Sequence, residues 1–383
     1  MAKQTRETLE VILRKRGAYN CIECGKCSSV CPIGTLNGKY YPRIILRKAV
    51  HENPDVMQDG LLWSCLNCGL CDQVCELNVR FYEFIRDLRA ECRNLEIGGV
   101  VPPHAGGLHA WMGLMTSPEL QQNRLDWITG DLKCREKGEV LYFVGCLPYY
   151  DRFFNYLDVD ALNIARSTVK ILNTLGIEPA IMGNERCCGH DFLWGGNVAD
   201  FKRLAEINMN AIKATGAKKI VTACAECYRT LKKDYPEHVG KLDVEVLHLS
   251  QFLVGNVAGL SMGETSKRIS FHDPCRLGRL SGIYEEPREI IAAVKGVELR
   301  EMERNRESAV CCGTSGWLSC GTYSKQIQTA RLKEAKRAGA DMLITSCPKC
   351  QIHFKCALSD GKTAPEARIE VQDLATLVAD CMK

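Results

Sequence analysis

Eighteen of the 23 cysteines in this chain fall into four sets of fixed spacing, and any fold it adopts must gather each set at one place. A secreted disulfide framework is one way to use so many cysteines, but such frameworks belong to small, loop-rich domains that lack a core. This chain has 383 residues, 46% of them hydrophobic, with long helical and strand patterns. Metal or redox chemistry in a reducing compartment fits better.

The first two sets are quartets, Cys21-x2-Cys24-x2-Cys27-x3-Cys31-Pro32 and Cys65-x2-Cys68-x2-Cys71-x3-Cys75. Three thiolates at i, i+3 and i+6 on a tight loop can wrap three irons of one cube, and the fourth lies beyond that reach. In two-cluster ferredoxins the fourth cysteine ligates the other cluster. The spacing therefore assigns Cys21, Cys24, Cys27 and Cys75 to one 4Fe–4S cubane, and Cys65, Cys68, Cys71 and Cys31 to a second. Zinc is the plainer alternative, but its sites use four ligands, usually as two separated pairs, and do not call for quartets. The stretch between the quartets and an amphipathic helix at about 79–93 indicate a mostly helical module, with Cys92 as a buried spare.

Residues 94–138, with the Gly/Pro cluster GGVVPPHAGG, read as a linker in which His104 and His109 are surface or packing residues. Beyond it the sequence repeats itself. Cys146, Cys187-Cys188-Gly189 and Cys224-x2-Cys227 are matched by Cys275, Cys311-Cys312-Gly313 and Cys347-x2-Cys350, with similar gaps. Apolar runs of strand length end on cysteines at 139–146, 219–224, 268–275 and 342–347. Amphipathic helices are expected at about 155–175, 198–215, 287–295 and 322–338. Such alternation implies mostly parallel sheets, with ligands gathering outside the carboxyl ends of the strands. The expected class is an α+β two-part chain: a helical dicluster ferredoxin domain at 1–93, the linker at 94–138, and a duplicated α/β domain at 139–260 and 261–383. Five thiols per repeat is one more than a cubane takes. The spacing leaves open five-fold ligation, four ligands with one reactive thiol, and a cysteine pair that cycles as a disulfide.

Paired Cys-Cys-Gly (CCG) repeats behind two ferredoxin quartets resemble heterodisulfide reductase with its C and B subunits fused, the arrangement of the D subunit, over roughly 15–380. The resemblance implies that each repeat binds a non-cubane 4Fe–4S cluster. One would use Cys146, Cys187, Cys188, Cys224 and Cys227; the other would use Cys275, Cys311, Cys312, Cys347 and Cys350. It further implies that the ferredoxin module feeds electrons to the repeats, where a disulfide is split. The catalytic cysteines would then be Cys187, Cys188, Cys311 and Cys312. The same modules occur in iron–sulfur subunits similar to those of glycolate and glycerol-3-phosphate dehydrogenases, and in bifurcating or benzoyl-CoA reductase-type complexes. In those the chain would be a non-catalytic relay.

The implied partners are a flavoprotein or other redox subunit and a small disulfide or thiol. The net charge of +4 is spread without a basic run, so nucleic acid is not expected. No signal-peptide core and no run of ~18 apolar residues is evident. The expectation is a cytoplasmic protein of an anaerobe, tied to a membrane only through a partner. There is no GxGxxG or GxxxxGK[ST] motif, so any flavin belongs to another subunit. His190 and His272 stand close to the repeat cysteines and are read as packing or hydrogen-bonding groups, with holding a proton for thiol release as the alternative. Arg276 and Arg279, read as opening a helix after a cluster loop, either grip an anionic substrate group or tune the potential through charge. Cys134, Cys320, Cys356 and Cys381 are read as non-ligands.

Overall fold

A computed structural model of the chain describes all residues except 1–2, 52–54, 59, 98, 101 and 362–363. Gly98 and Val101, inside the expected linker, lie outside the described residues. The chain divides into two compact units. The first comprises 1–113, 189–201 and 313–327; the second comprises 114–188, 202–312 and 328–383. In both repeats the division falls between the second cysteine and the glycine of the Cys-Cys-Gly motif.

The first unit is helical. It contains α1 (Lys3–Lys15), α2 (Pro42–Val50), α3 (Phe81–Asn94) and α4 (Gly107–Leu114), the last lying within the stretch read as a linker. Phe84, Ile85, Leu88 and Cys92 fall on one side of α3 at helical spacing and are fully buried. The buried Arg16, just after α1, holds this helix by ion pairs to Glu83 and to Asp87, the latter at 2.6 Å. From the segment after the first Cys-Cys-Gly motif, the Trp194 ring stacks on Tyr82 at 5.6 Å, and Arg86 lies 5.3 Å from its centre. Arg89, completely buried, donates to the carbonyls of Leu62, Cys65 and Trp194 and to Asn67 Oδ1. One planar guanidinium thus satisfies four acceptors, on the 62–67 stretch and at Trp194, one more than the three protons of an ammonium can reach.

The second unit holds both sheets. One has the order β1-β2-β3, from Val140–Tyr142, Lys219–Thr222 and Glu245–His248. The other has the order β5-β4-β6-β7, from Glu298–Leu299, Arg268–His272, Met342–Thr345 and Glu370–Asp373. All pairings are parallel. Ala180, bridged to Leu141, takes the place in the first sheet that β5 takes in the second. The strands stop short of the expected limits, so the cysteines sit on the turns that follow them. β3, β5 and β7, too short to stand out as apolar runs, complete the sheets.

The longer or site-bearing helices beyond these include α5 (Ala161–Thr174), α6 (Val198–Thr215), α7 (Ala225–Arg229), α8 (Leu249–Val254), α9 (Glu285–Ala293), α10 (Thr322–Arg337), α11 (Pro348–Leu358) and α12 (Leu374–Cys381). The helix expected from 155 begins at 161, where Asp160 accepts from the Asn163 N–H. α5 of the first repeat packs on α12 of the second, and α8 of the first on α9 of the second. This reciprocal exchange is the signature of an internal twofold. His248 and Asp373 occupy equivalent strand ends and cap α8 and α12. Burial lowers His248 to about 4, which keeps its Nδ1 free to accept the Ser250 N–H.

Replacing Arg89 with methionine should cost the first unit about 2–4 kcal/mol by orphaning buried carbonyls. Denaturant unfolding of the metal-loaded protein measures this. Lysine should restore less than half, and a loss under about 0.5 kcal/mol would remove Arg89 from this role.

Candidate metal centres

Each quartet is wound by the same backbone device. Glu23 (φ 54) and Asn67 (φ 47) are left-handed, as are Gly25 and Gly69 two residues on. The N–H groups of Glu23 and Asn67 consequently donate to Cys21 Sγ and Cys65 Sγ, each at 3.4 Å. Electrostatically, Cys27 meets Cys21, Cys24 and Cys75, whereas Cys31 meets Cys68 and Cys65. The fourth cysteine of each run thus faces the other run's triad. A cavity of about 250 Å³ is lined by Cys21, Cys24, Cys27 and Cys75, with Cys71 also on its wall. A smaller one of about 20 Å³ is lined by Cys31, Cys65, Cys68 and Cys71. Cys24 is exposed, so the first set is the more open. Burial pushes Cys31 up to about 12 and Cys71 well above its usual value. These thiols therefore keep their protons until cations replace them, as soft thiolate sites for iron or zinc do.

The ten repeat cysteines form one unbroken chain of thiol contacts. Hydrogen bonds link Cys146 to Cys187, and Cys188 to both Cys187 and Cys227. Cys227 reaches Cys224, and Cys224 reaches Cys347 of the other repeat. From there the chain runs through Cys350 and Cys312 to Cys311 and Cys275. The midpoint, Cys224 against Cys347, joins the first cysteine of each Cys-x-x-Cys pair, both at helix N-caps. Thiol neighbours first, then burial, drive Cys146, Cys188, Cys227, Cys275 and Cys350 well above the usual thiol range. Cys312 runs the other way, to about 6, because Cys311 and Cys350 both hydrogen-bond it. Its Sγ also lies 3.2 Å from His353 Nδ1. Five thiolates per set, four of them buried, need several positive charges among them, and an iron–sulfur cluster provides these. The donor set fits.

Local structure explains how the thiols come so close. In the Cys-Cys-Gly motifs Gly189 (φ 86) and Gly313 (φ 90) are left-handed, turning the chain away at once. At Gly145 (φ +70) an added Cβ would stand 2.9 Å from Cys227 Sγ, so only glycine admits that sulfur. Glu185 accepts from the N–H groups of Val144 and Gly145 at 3.2 and 2.7 Å, tying the Cys146 turn to the segment that carries Cys187. Arg124, from the stretch read as a linker, donates to the carbonyls of both Glu185 and Gly145. In the second repeat, Asp273 takes two bonds from Arg288 at 2.7 and 3.0 Å and one from the Arg306 N–H.

Of the residues singled out beside the repeats, Arg279 clamps the approach to Cys311 by donating to the carbonyls of Glu307 and Ala309. Arg276 is buried on a turn, not at a helix start, and faces Cys275, Cys311 and Glu226. His272 is buried, 3.3 Å from Arg331 Nε and edge-on to Phe354, a packing position. His190 pairs with Asp191 at 3.1 Å, and His109 bonds the Gly316 carbonyl at 2.8 Å. Cys92 Sγ points to the Met57 carbonyl, away from both quartets. Sequence reasoning missed Arg124, Glu185, Lys349 and His353. Only the last two carried a signal, their position in or just after a cysteine pair.

The sequence matches the 4Fe–4S dicluster domain over residues 17–79 and the cysteine-rich CCG domain over 140–232 and 269–355. It is 36% identical over 272 residues to the D subunit of dihydromethanophenazine:CoB–CoM heterodisulfide reductase from Methanosarcina barkeri. That match covers 68% of this chain and 63% of the relative. Against the B subunit of the CoM/CoB fumarate reductase of Methanothermobacter marburgensis it is 30% identical over 357 residues, covering 88% of this chain and 68% of the relative. A crystal structure of a hypothetical protein from Helicobacter pylori shares the fold, with a TM-score of 0.57 at 12% identity, covering 100% of this chain and 73% of that one. Among the described residues no helix is long and apolar enough to cross a membrane. The chain belongs to the heterodisulfide reductase family and joins a 4Fe–4S dicluster domain to two CCG domains.

Proposed function

We propose that this chain carries electrons between two ferredoxin-type cubanes and a pair of non-cubane 4Fe–4S clusters in the CCG repeats, where a disulfide or equivalent acceptor is reduced. The observation that carries this reading is the unbroken run of ten thiols across the two repeats. Splitting a disulfide takes two electrons and two protons, breaks one S–S bond and leaves two thiols. Two iron–sulfur clusters, when bound, supply those electrons one each and can each hold one sulfur. Cys187, Cys188, Cys311 and Cys312 hold the sites on either side, and Cys224 and Cys347 bring them together. The partial exposure of Cys224 and Cys275 supports access of a small disulfide or thiol to the pair.

On this reading the crossed sets Cys21/Cys24/Cys27/Cys75 and Cys65/Cys68/Cys71/Cys31 only move electrons. The exposure of Cys24 supports this end of the path as the one where a flavoprotein or other redox subunit exchanges them. A second reading, a relay within a larger flavin-containing complex, draws support from the burial of both Cys-Cys pairs, all at or below 5% exposure. A 28% identical relative, the EtfAB:quinone oxidoreductase of Syntrophomonas wolfei, bears a name compatible with such a role.

Cys188→Ser and Cys312→Ser should each lower disulfide turnover at least about tenfold while both cubane spectra persist, a loss in transition-state terms of about 1.4 kcal/mol or more. Undiminished turnover with both repeat clusters intact would sink the disulfide-reducing reading and leave the relay. The crossed assignment is tested separately by electron paramagnetic resonance. Cys75→Ser should alter the same cubane signal as Cys24→Ser, and Cys31→Ser the same signal as Cys68→Ser. The opposite pairing would assign each quartet to its own cluster.

A further inference from the structure

The two five-thiol sets are alike in sequence and opposite in their surroundings. The third residue of each Cys-x-x-Cys is Glu226 in the first repeat and Lys349 in the second. These equivalent side chains meet across the internal twofold, Lys349 Nζ to Glu226 Oε2 at 2.6 Å, with exposures of only 2% and 13%. They do so where Cys224 contacts Cys347. The first set otherwise faces Arg124, which is already paired with Glu185 at 3.4 Å. The second set faces two more cations, Arg276 and Arg279, against Cys275. Arg276 is buried, and Glu226 and Asp234 are its nearest acidic influences. The buried Asp373 also faces Cys347, and burial raises its carboxyl well above the usual carboxylate range.

Cluster potentials follow local charge, hydrogen bonds to sulfur and exposure. Reduction adds one negative charge, and in a buried site a fixed charge nearby acts with little screening. Thiol count and fold are matched between the repeats; they differ in charge and in the His353 contact to Cys312 Sγ, where the first repeat has Thr230.

We propose that this asymmetry orders the two repeats: Lys349, Arg276 and Arg279 make the second five-thiol site the stronger electron acceptor, and Glu226 makes the first the weaker. One electron then leaves the reduced first site, oxidising it by one, and enters the second, reducing it by one. The ion pair fixes the direction of transfer across the twofold while holding the Cys224–Cys347 contact together. This inference rests on the reading that each set holds a redox cluster.

Potentiometric titration of the anaerobically isolated full chain, followed by electron paramagnetic resonance, tests it. Cys188→Ser and Cys312→Ser assign signals to the first and second repeat. The second-repeat signal should have the higher midpoint. Exchanging the charges (Glu226→Lys with Lys349→Glu) keeps the ion pair and should lower the second midpoint, raise the first, and leave the cubane midpoints in place. A wild-type order that is equal or reversed overturns the proposal, as does a gap unchanged by the exchange. Should the exchanged protein fail to fold, Glu226→Gln serves alone. It should raise the first midpoint, and an unmoved midpoint counts against the proposal. Loss of no signal in either cysteine variant would instead remove the underlying reading that the repeats hold clusters, and the proposal with it.

Discussion

Ten thiols in mutual contact, eight of them buried, cannot all ionise unless cations come among them, and the second unit is built around that demand. Neighbouring thiols raise the proton affinity of Cys146, Cys188, Cys227, Cys275 and Cys350, and burial adds to it. Such a set binds protons when empty and gives them up to a multivalent metal centre, so metal binding and folding are coupled. The same logic governs the quartets, where burial alone is the leading cause.

Duplication gives the thiols their geometry. A parallel sheet delivers its turns to one end, and each repeat contributes three such turns bearing cysteines. Reciprocal packing of α5 on α12 and of α8 on α9 then sets the two ends against each other, close enough for Cys224 to touch Cys347. The ion pair between Glu226 and Lys349 lies at that junction. A buried pair of this kind is costly to desolvate and is weak evidence for stability, so its use is better sought in specificity or electrostatics.

Much of this was legible in the sequence because ligand spacing is local information. The quartets, the Cys-Cys-Gly pairs, the repeat and the main strands and helices follow from residues a few positions apart. What was not legible depends on distant partners. Nothing marks Arg124, in a polar Gly/Pro-rich neighbourhood, as the donor that ties Gly145 to Glu185. The strands at Glu245–His248, Glu298–Leu299 and Glu370–Asp373 are two to four residues long and carry charge, so they read as loops until their neighbours pair with them. The turn after Cys275 resembles a helix start in composition, yet closes on itself with Ile283 N–H bonded back to the Leu277 carbonyl.

The most direct test of the central claim, that all four thiol sets are metal centres of one redox chain, is the iron and acid-labile sulfide content of the anaerobically isolated protein. Four 4Fe–4S clusters require about sixteen irons and a similar amount of sulfide per chain. About eight irons, the content of the two quartets alone, would contradict it and leave the ten repeat cysteines as a thiol network without metal.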